Sequence, residues 1–172
     1  MTEEKIILGG GCFWCLEAAF QKVKGINKIT SGYAGGFDKA PTYESVCQEK
    51  TGHAEVVELV WNTAETKLAH ILQVFYLIHD PTTLNRQGND VGSQYRSFIG
   101  YFTSQQKYGI DEIIINQAQI WQKPITTELQ SEPEFYPAED YHQNYYNNHP
   151  NQGYCQIVIR PKLDKLKLKD II

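Results

Sequence analysis

Residues 5–23 constrain the chain more tightly than any other stretch. Lys5-Ile6-Ile7-Leu8 is a short β-branched run that Gly9-Gly10-Gly11 stops at once, the signature of a strand running into a tight turn. Leu16, Ala19, Phe20 and Val23 follow at the i, i+3, i+4, i+7 spacing of an amphipathic helix. A strand, a glycine turn and a helix in so short a span place Cys12 at or just before the helix N-terminus.

Similar patterns organise the remaining chain. Gly25 ends the first helix, residues 26–33 read as a strand, and residues 34–42 as a loop. Residues 53–61 read as another strand, followed by a helix with Leu68, Ile71, Leu72, Phe75 and Ile78 on one face. Residues 79–94, rich in Asp, Pro, Asn and Gly, read as a long surface loop, and residues 95–102 as a strand. Ser104 is the expected N-cap of a helix with Ile110, Ile113, Ile114, Ala118 and Trp121 inward, and residues 125–129 read as a last short strand. Over residues 132–154 the periodicity fails, and five of the eleven tyrosines crowd among Pro, Asn, His and Glu. A coil this long in a compact domain points to function, and its aromatics argue against disorder. The lysine-rich residues 160–172 read as a solvated surface segment.

These pieces amount to one α+β domain over residues 1–172, a size at which about 70% of the unfolded surface can be buried. Sixteen Lys+Arg against twenty Asp+Glu give a net charge of −4, which argues against an electrostatic grip on nucleic acid. No apolar run of about 18 residues is present to span a membrane, and the acidic start Met-Thr-Glu-Glu-Lys is unlike an export leader. Four cysteines are too few for a disulfide scaffold of this length, so thiol chemistry and reduced thiols in a cytoplasmic protein are expected. A monomer is expected as well.

Gly9-Gly10-Gly11-Cys12-Phe13-Trp14-Cys15-Leu16-Glu17 is the sharpest candidate site. A helix N-terminus favours a thiolate, and the glycines leave room for a ligand beside it. Three chemistries could use such a motif: a Cys12/Cys15 dithiol, a zinc site, or a cysteine nucleophile served by one of five histidines. Two bulky aromatics between the thiols make a poor metal knuckle, so no metal is expected. In the strand over residues 53–61, Glu55 shares a face with Val57, Leu59 and Trp61, while Glu58 faces the other way with Ala54, Val56 and Val60. A carboxyl among large apolar neighbours has its pKa raised and can donate a proton near neutrality. Two polar segments complete the set: Arg86-Gln87-Gly88-Asn89-Asp90 through Ser97, and Ala138-Glu139-Asp140-Tyr141-His142-Gln143 with Gly153-Tyr154-Cys155.

Taken together, the chain resembles the peptide methionine sulfoxide reductase A family, enzymes specific for the S epimer. The resemblance rests on GCFWC from Gly11, SGYAGG from Ser31, PTYESVC from Pro41, TGHAEVV from Thr51, HDPTT from His79, RQGNDVGSQYRS from Arg86 and AEDYHQNY from Ala138. It implies that Cys12 attacks the sulfoxide sulfur, with Glu55 as acid and Tyr43 and Tyr95 hydrogen-bonded to the oxygen. It implies further that Phe13 and Trp14 take the substrate methyl group, and that Asp90 and His142 hold the backbone. The resemblance also implies that Cys155 resolves the Cys12 sulfenic acid and that thioredoxin reduces the resulting disulfide, with no bound cofactor. The sequence departs from many members at Cys15, where they carry Gly, which makes Cys15 the contender for the resolving role. Cys47 is expected to be structural. The implied fold is a two-layer α+β sandwich with a ferredoxin-like core, wrapped by a long C-terminal coil, and the implied substrates are oxidised proteins or free methionine sulfoxide.

Overall fold

A computed structural model describes residues 2–172 of the chain. The expected strand, glycine turn and helix open it as β1 (Glu3–Gly9) and α1 (Phe13–Phe20), followed by β2 (Ile26–Ala34). A short helix α2 (Tyr43–Cys47) precedes β3 (Ala54–Asn62) and α3 (Leu68–Ile78). The polar stretch after α3 carries a small hairpin, β4 (Arg86–Gln87) and β5 (Asp90–Val91), before β6 (Phe98–Tyr101) and α4 (Ser104–Trp121). Two edge strands follow, β7 (Glu128–Ser131) and β8 (Phe135–Pro137), then α5 (Tyr145–Asn148), a π-helical turn (Cys155–Ile159) and α6 (Arg160–Leu168).

The large sheet has the order β7-β6-β1-β3-β2-β8, antiparallel throughout except for the β6–β7 pair. Its outermost strands are consecutive in the chain, with only residues 132–134 between them. The steps from Ser131 to Phe135 can reach at most about 15 Å. Six flat strands would hold their outer edges about 24 Å apart. The sheet therefore curls, and the linker between β7 and β8 fixes how far.

Alternation along the strands makes two cores. Ile6, Leu8, Val57, Leu59 and Trp61 lie in the large cluster under α1 and α3. Ile7, Ala34, Ala54, Val56 and Phe98 form a smaller cluster on the opposite face, completed by Phe102 and Phe135. Seven of the eight residues of α1 are buried, because α5 and α6 cover the side that the sheet does not. Among the described residues no helix is long and apolar enough to cross a membrane.

Several expectations are corrected. Thr103 rather than Ser104 caps α4, its hydroxyl accepting from the Gln106 N–H at 3.1 Å. The strand expected over residues 125–129 begins at Glu128. The expected coil over residues 132–154 holds β8, a 3-10 turn at Asp140–His142 and α5, all too short for periodicity to register. Residues 160–172 are not simply a solvated tail: Ile159 and Leu166 are fully buried in the main cluster, with Leu163 packed beside them. Their i, i+4, i+7 spacing is a helical stripe that runs across Pro161, a residue tolerated in a first helical turn.

One close backbone approach sets the loop that carries α2. A Cβ on Gly36 would overlap the backbone at His53 and Thr51, and the His53 ring locks the same loop. Its Nδ1 accepts from the Gly36 N–H at 2.9 Å and its Nε2 lies 2.7 Å from the Asp38 carbonyl. Gly36→Ala is expected to lower stability by about 1–3 kcal/mol, read as a shift in the denaturant midpoint.

Candidate active site

Gly11, at φ +87°, adopts the left-handed conformation that turns the chain from β1 into α1. Cys12 is the N-cap residue of that helix and its side chain is buried. The first amide of the helix, Phe13 N–H, donates to Oε1 of Glu55 at 3.2 Å. Glu55 comes from the middle of the sheet, opposite Tyr33 in β2, and is 1% exposed. Burial pushes its pKa up to about 8, with the Phe13 hydrogen bond pulling the other way. At neutral pH its protonated form therefore predominates by about tenfold. The neutral carboxyl accepts from Phe13 through Oε1, and Oε2, with no partner among the described residues, is the oxygen left to carry the proton.

All four cysteines are free. The helix N-terminus does not settle the ionisation of Cys12 as the sequence suggested. Its thiol is pushed well up by burial, then by the neighbouring Cys15 thiol and by the Glu55 carboxyl. The Trp14 backbone N–H opposes these but does not outweigh them. Cys15 moves down to about 7, chiefly through the neighbouring Cys12 thiol. The resting site thus holds a protonated thiol beside a neutral carboxyl. Cys155 is fully buried in the same apolar cluster, and burial raises its pKa. Cys47 is half-buried at the end of α2.

Aromatic rings build one wall. Phe13 is fully buried, its ring centroid 5.1 Å from His142 and 6.4 Å from Tyr43. Trp14 stacks on Tyr145 at 3.7 Å and 5°, while its indole N–H donates to Nδ1 of His142 at 3.1 Å. His142 is therefore neutral with its proton on Nε2, which is buried without a partner among the described residues. Burial lowers its pKa, which keeps it so. Tyr43 and Tyr95 are half-buried with pKa values raised by burial first and the Glu55 carboxyl next, so both hydroxyls stay protonated near that carboxyl.

The irregular C-terminal segment is held to this site by three buried or half-buried side chains whose role the sequence did not disclose. Glu139 accepts from the Tyr33 hydroxyl at 2.8 Å and from the Tyr43 N–H at 2.9 Å, fixing the start of α2. Gln143 accepts from the Ser31 N–H and donates to the Ser31 carbonyl, both at 2.9 Å, extending the pairing along β2. Glu17 accepts from the backbone of Asn144 and Tyr145. Glu139 and Gln143 lie inside the AEDYHQ motif, but nothing in that motif marks which carboxylate turns inward.

Asp90 is engaged as well. The Tyr154 hydroxyl donates to its Oδ2 at 2.6 Å and lies 3.8 Å from the Cys15 sulfur. A cavity of about 740 Å³ reaches Cys12 between Gln87, Asn89, Asp90, Tyr154 and Lys162. Phe13 and Trp14 do not line it, and the Tyr154 ring, which does, stands edge-on to Trp14 at 5.9 Å. Among the described residues, no group of three or more His, Cys, Asp or Glu side chains could hold a metal ion.

The family model described as peptide methionine sulfoxide reductase matches residues 4–171. The chain belongs to that family. Peptide methionine sulfoxide reductase MsrA of Chromobacterium violaceum is 52% identical over 166 residues, spanning 95% of this chain and 94% of that one. Among solved structures, Mxr1 from Saccharomyces cerevisiae in reduced form superposes with a TM-score of 0.83 at 33% identity, covering 89% of each chain. Mxr1 in complex with Trx2 matches at a TM-score of 0.60 and 25% identity, over 83% of this chain and 84% of that one. Members of the peptide methionine sulfoxide reductase family are oxidoreductases, and thiol-dependent reduction of methionine sulfoxide is their reaction. The mixed α/β architecture found here is that of the solved members.

Proposed function

We propose that this protein reduces methionine (S)-sulfoxide, free or within oxidised proteins, to methionine as a repair of oxidative damage. The observation that carries the reading is the buried, neutral Glu55, whose Oε2 is free to donate beside Cys12. A sulfoxide is a poor electrophile until its oxygen is protonated or strongly hydrogen-bonded. Glu55 supplies that proton, and the Tyr43 and Tyr95 hydroxyls hold the oxygen. Phe13 and Trp14 take the methyl group. Asp90 and the Nε2–H of His142 take the substrate backbone, an acceptor and a donor for its N–H and C=O, once the Tyr154 hydroxyl gives up Asp90.

In the first step Cys12 forms a bond to the sulfoxide sulfur, oxygen passes to the cysteine sulfur, and methionine leaves. One sulfenic acid is made for each sulfoxide lost, with no net proton change. Cys155 then attacks the sulfenic sulfur, releasing water and closing a disulfide. Thioredoxin returns both thiols by dithiol exchange, so that no bound cofactor is needed. The Mxr1–Trx2 complex of a related chain supports that choice of reductant. A second reading, in which Cys15 resolves the sulfenic acid, is favoured by its place three residues after Cys12 in the first turn of α1, where its backbone N–H donates to the Cys12 carbonyl at 3.1 Å.

The proposal includes a two-layer, ferredoxin-like description of the core. It is supported by the antiparallel order β6-β1-β3-β2, with α1 and α3 as the two crossovers. It includes a single domain over residues 1–172, acting as a monomer. Four free thiols suit a reducing cytoplasm.

An epimer-resolved assay with dithiothreitol tests the reaction: methionine should form from the S epimer and not from the R epimer. Cys155→Ser should still release one methionine per enzyme yet stop thioredoxin-driven turnover. If Cys15→Ser alone stops cycling, the resolving role passes to Cys15.

A further inference from the structure

We infer that Glu17 is a positioning residue for the sulfoxide pocket, holding residues 142–145 against α1 so that Trp14 stands at one fixed angle beside Cys12. Glu17 lies on α1 almost one turn after Trp14 and is 3% exposed, in a helix whose other buried side chains are apolar. Each carboxylate oxygen has its own donor: Oε2 accepts from the Asn144 N–H at 2.9 Å and Oε1 from the Tyr145 N–H at 3.2 Å. Burying a carboxylate is costly unless it is hydrogen-bonded, and apolar packing alone would be better served by an apolar residue.

The two amides belong to the point where Asn144, at φ +56°, turns the chain into α5. Tyr145 leaves that point to cover the face of the Trp14 indole, and His142, just before it, accepts from the indole edge. Trp14 is thus fixed on its face and its edge by one short segment, and Glu17 ties that segment to the helix on which Trp14 sits. At the surface Gln21 adds a weaker tie, its side-chain amide donating to Asn144 Oδ1 at 2.9 Å.

The inference rests on the assignment of Trp14 to the methyl pocket. Its test is the kinetics of (S)-sulfoxide peptide reduction with dithiothreitol, alongside thermal midpoints. Glu17→Gln keeps the shape but turns an NH2 towards a backbone N–H. It should raise KM about tenfold while kcat falls less than about threefold. Tyr145→Ala, which leaves Glu17 in place, should raise KM similarly. The double variant should be no worse than either single one, because both act through the angle of Trp14.

An unchanged KM in Glu17→Gln overturns the inference, and so does a KM rise that multiplies in the double variant and tracks a falling midpoint. Should Glu17→Gln fail to fold, an unchanged KM in Tyr145→Ala overturns it alone. An inactive wild-type protein defeats the site reading and this inference with it. An active wild type with unaffected variants defeats only the role of Glu17.

Discussion

A Cys12→Ser protein is expected to release no measurable methionine from the (S)-sulfoxide, a loss of about 10⁴-fold or more in kcat/KM. Sulfur is required twice at this position, as the attacking atom and as the atom that carries the oxygen away. A hydroxyl is a far weaker nucleophile at neutral pH and cannot become a sulfenic acid. Cys15, although its pKa lies near 7, sits three residues further along α1 and does not line the cavity that reaches Cys12. It is therefore not expected to substitute for Cys12 at the pocket. Because Ser is nearly isosteric, the thermal midpoint should stay close to that of the parent. Methionine release at high enzyme concentration is the measurement, and retained turnover in this variant would sink the mechanism.

Glu55→Gln should slow sulfenic acid formation by about 10²- to 10⁴-fold, the range for loss of a positioned acid, while substrate binding weakens far less. Single-turnover trapping of the sulfenic acid with a 1,3-dione isolates that step from recycling. In the parent protein the same rate should fall as pH rises through about 8, where the carboxyl gives up its proton, and the variant should lack that limb. Stability carries the matching sign. The carboxyl has a folded pKa above its unfolded one, so its contribution is intact below about pH 4.5 and is lost by the time pH has risen past about 8. The stability of Glu55→Gln relative to the parent should therefore improve between pH 5 and pH 9, by an amount of order a few kcal/mol. A difference between the two proteins that stays constant from pH 5 to pH 9 would show that Glu55 is already charged in the folded protein.

Much of this site can be read from short-range pattern. The turn at Gly11 and the stripe from Leu16 to Val23 are enough to put Cys12 at a helix start, where the structure has it. Alternation along residues 54–61 is enough to turn Glu55 towards Val57, Leu59 and Trp61, and that face is the one beneath α1. Burial is a long-range quantity, and there the pattern runs out. Nothing local says that Glu55 will be 1% exposed, or that its carboxyl will receive the Phe13 amide. The ionisation of Cys12 fails to follow from its helix position for the same reason: desolvation and a neighbouring carboxyl outweigh the helix amide. Residues 132–172 are the hardest to read, because β8 is an edge strand of three residues and α5 is tied down by the single side chain of Glu17 rather than by a periodic face. Tyr154 shows the same limit, since its bond to Asp90 joins residues 64 apart in sequence.

The curled sheet bears on how this protein can live among damaged clients. A repair enzyme must touch chains that have lost part of their own packing and expose unpaired strands. An open sheet edge would offer such chains a template for backbone pairing, and the enzyme would become a seed for their aggregation. Here both margins are short, four residues in β7 and three in β8, and the second carries Pro137. The chain that joins them bends one margin towards the other. With margins this short and drawn together, the sheet leaves an unfolding client little backbone to pair with.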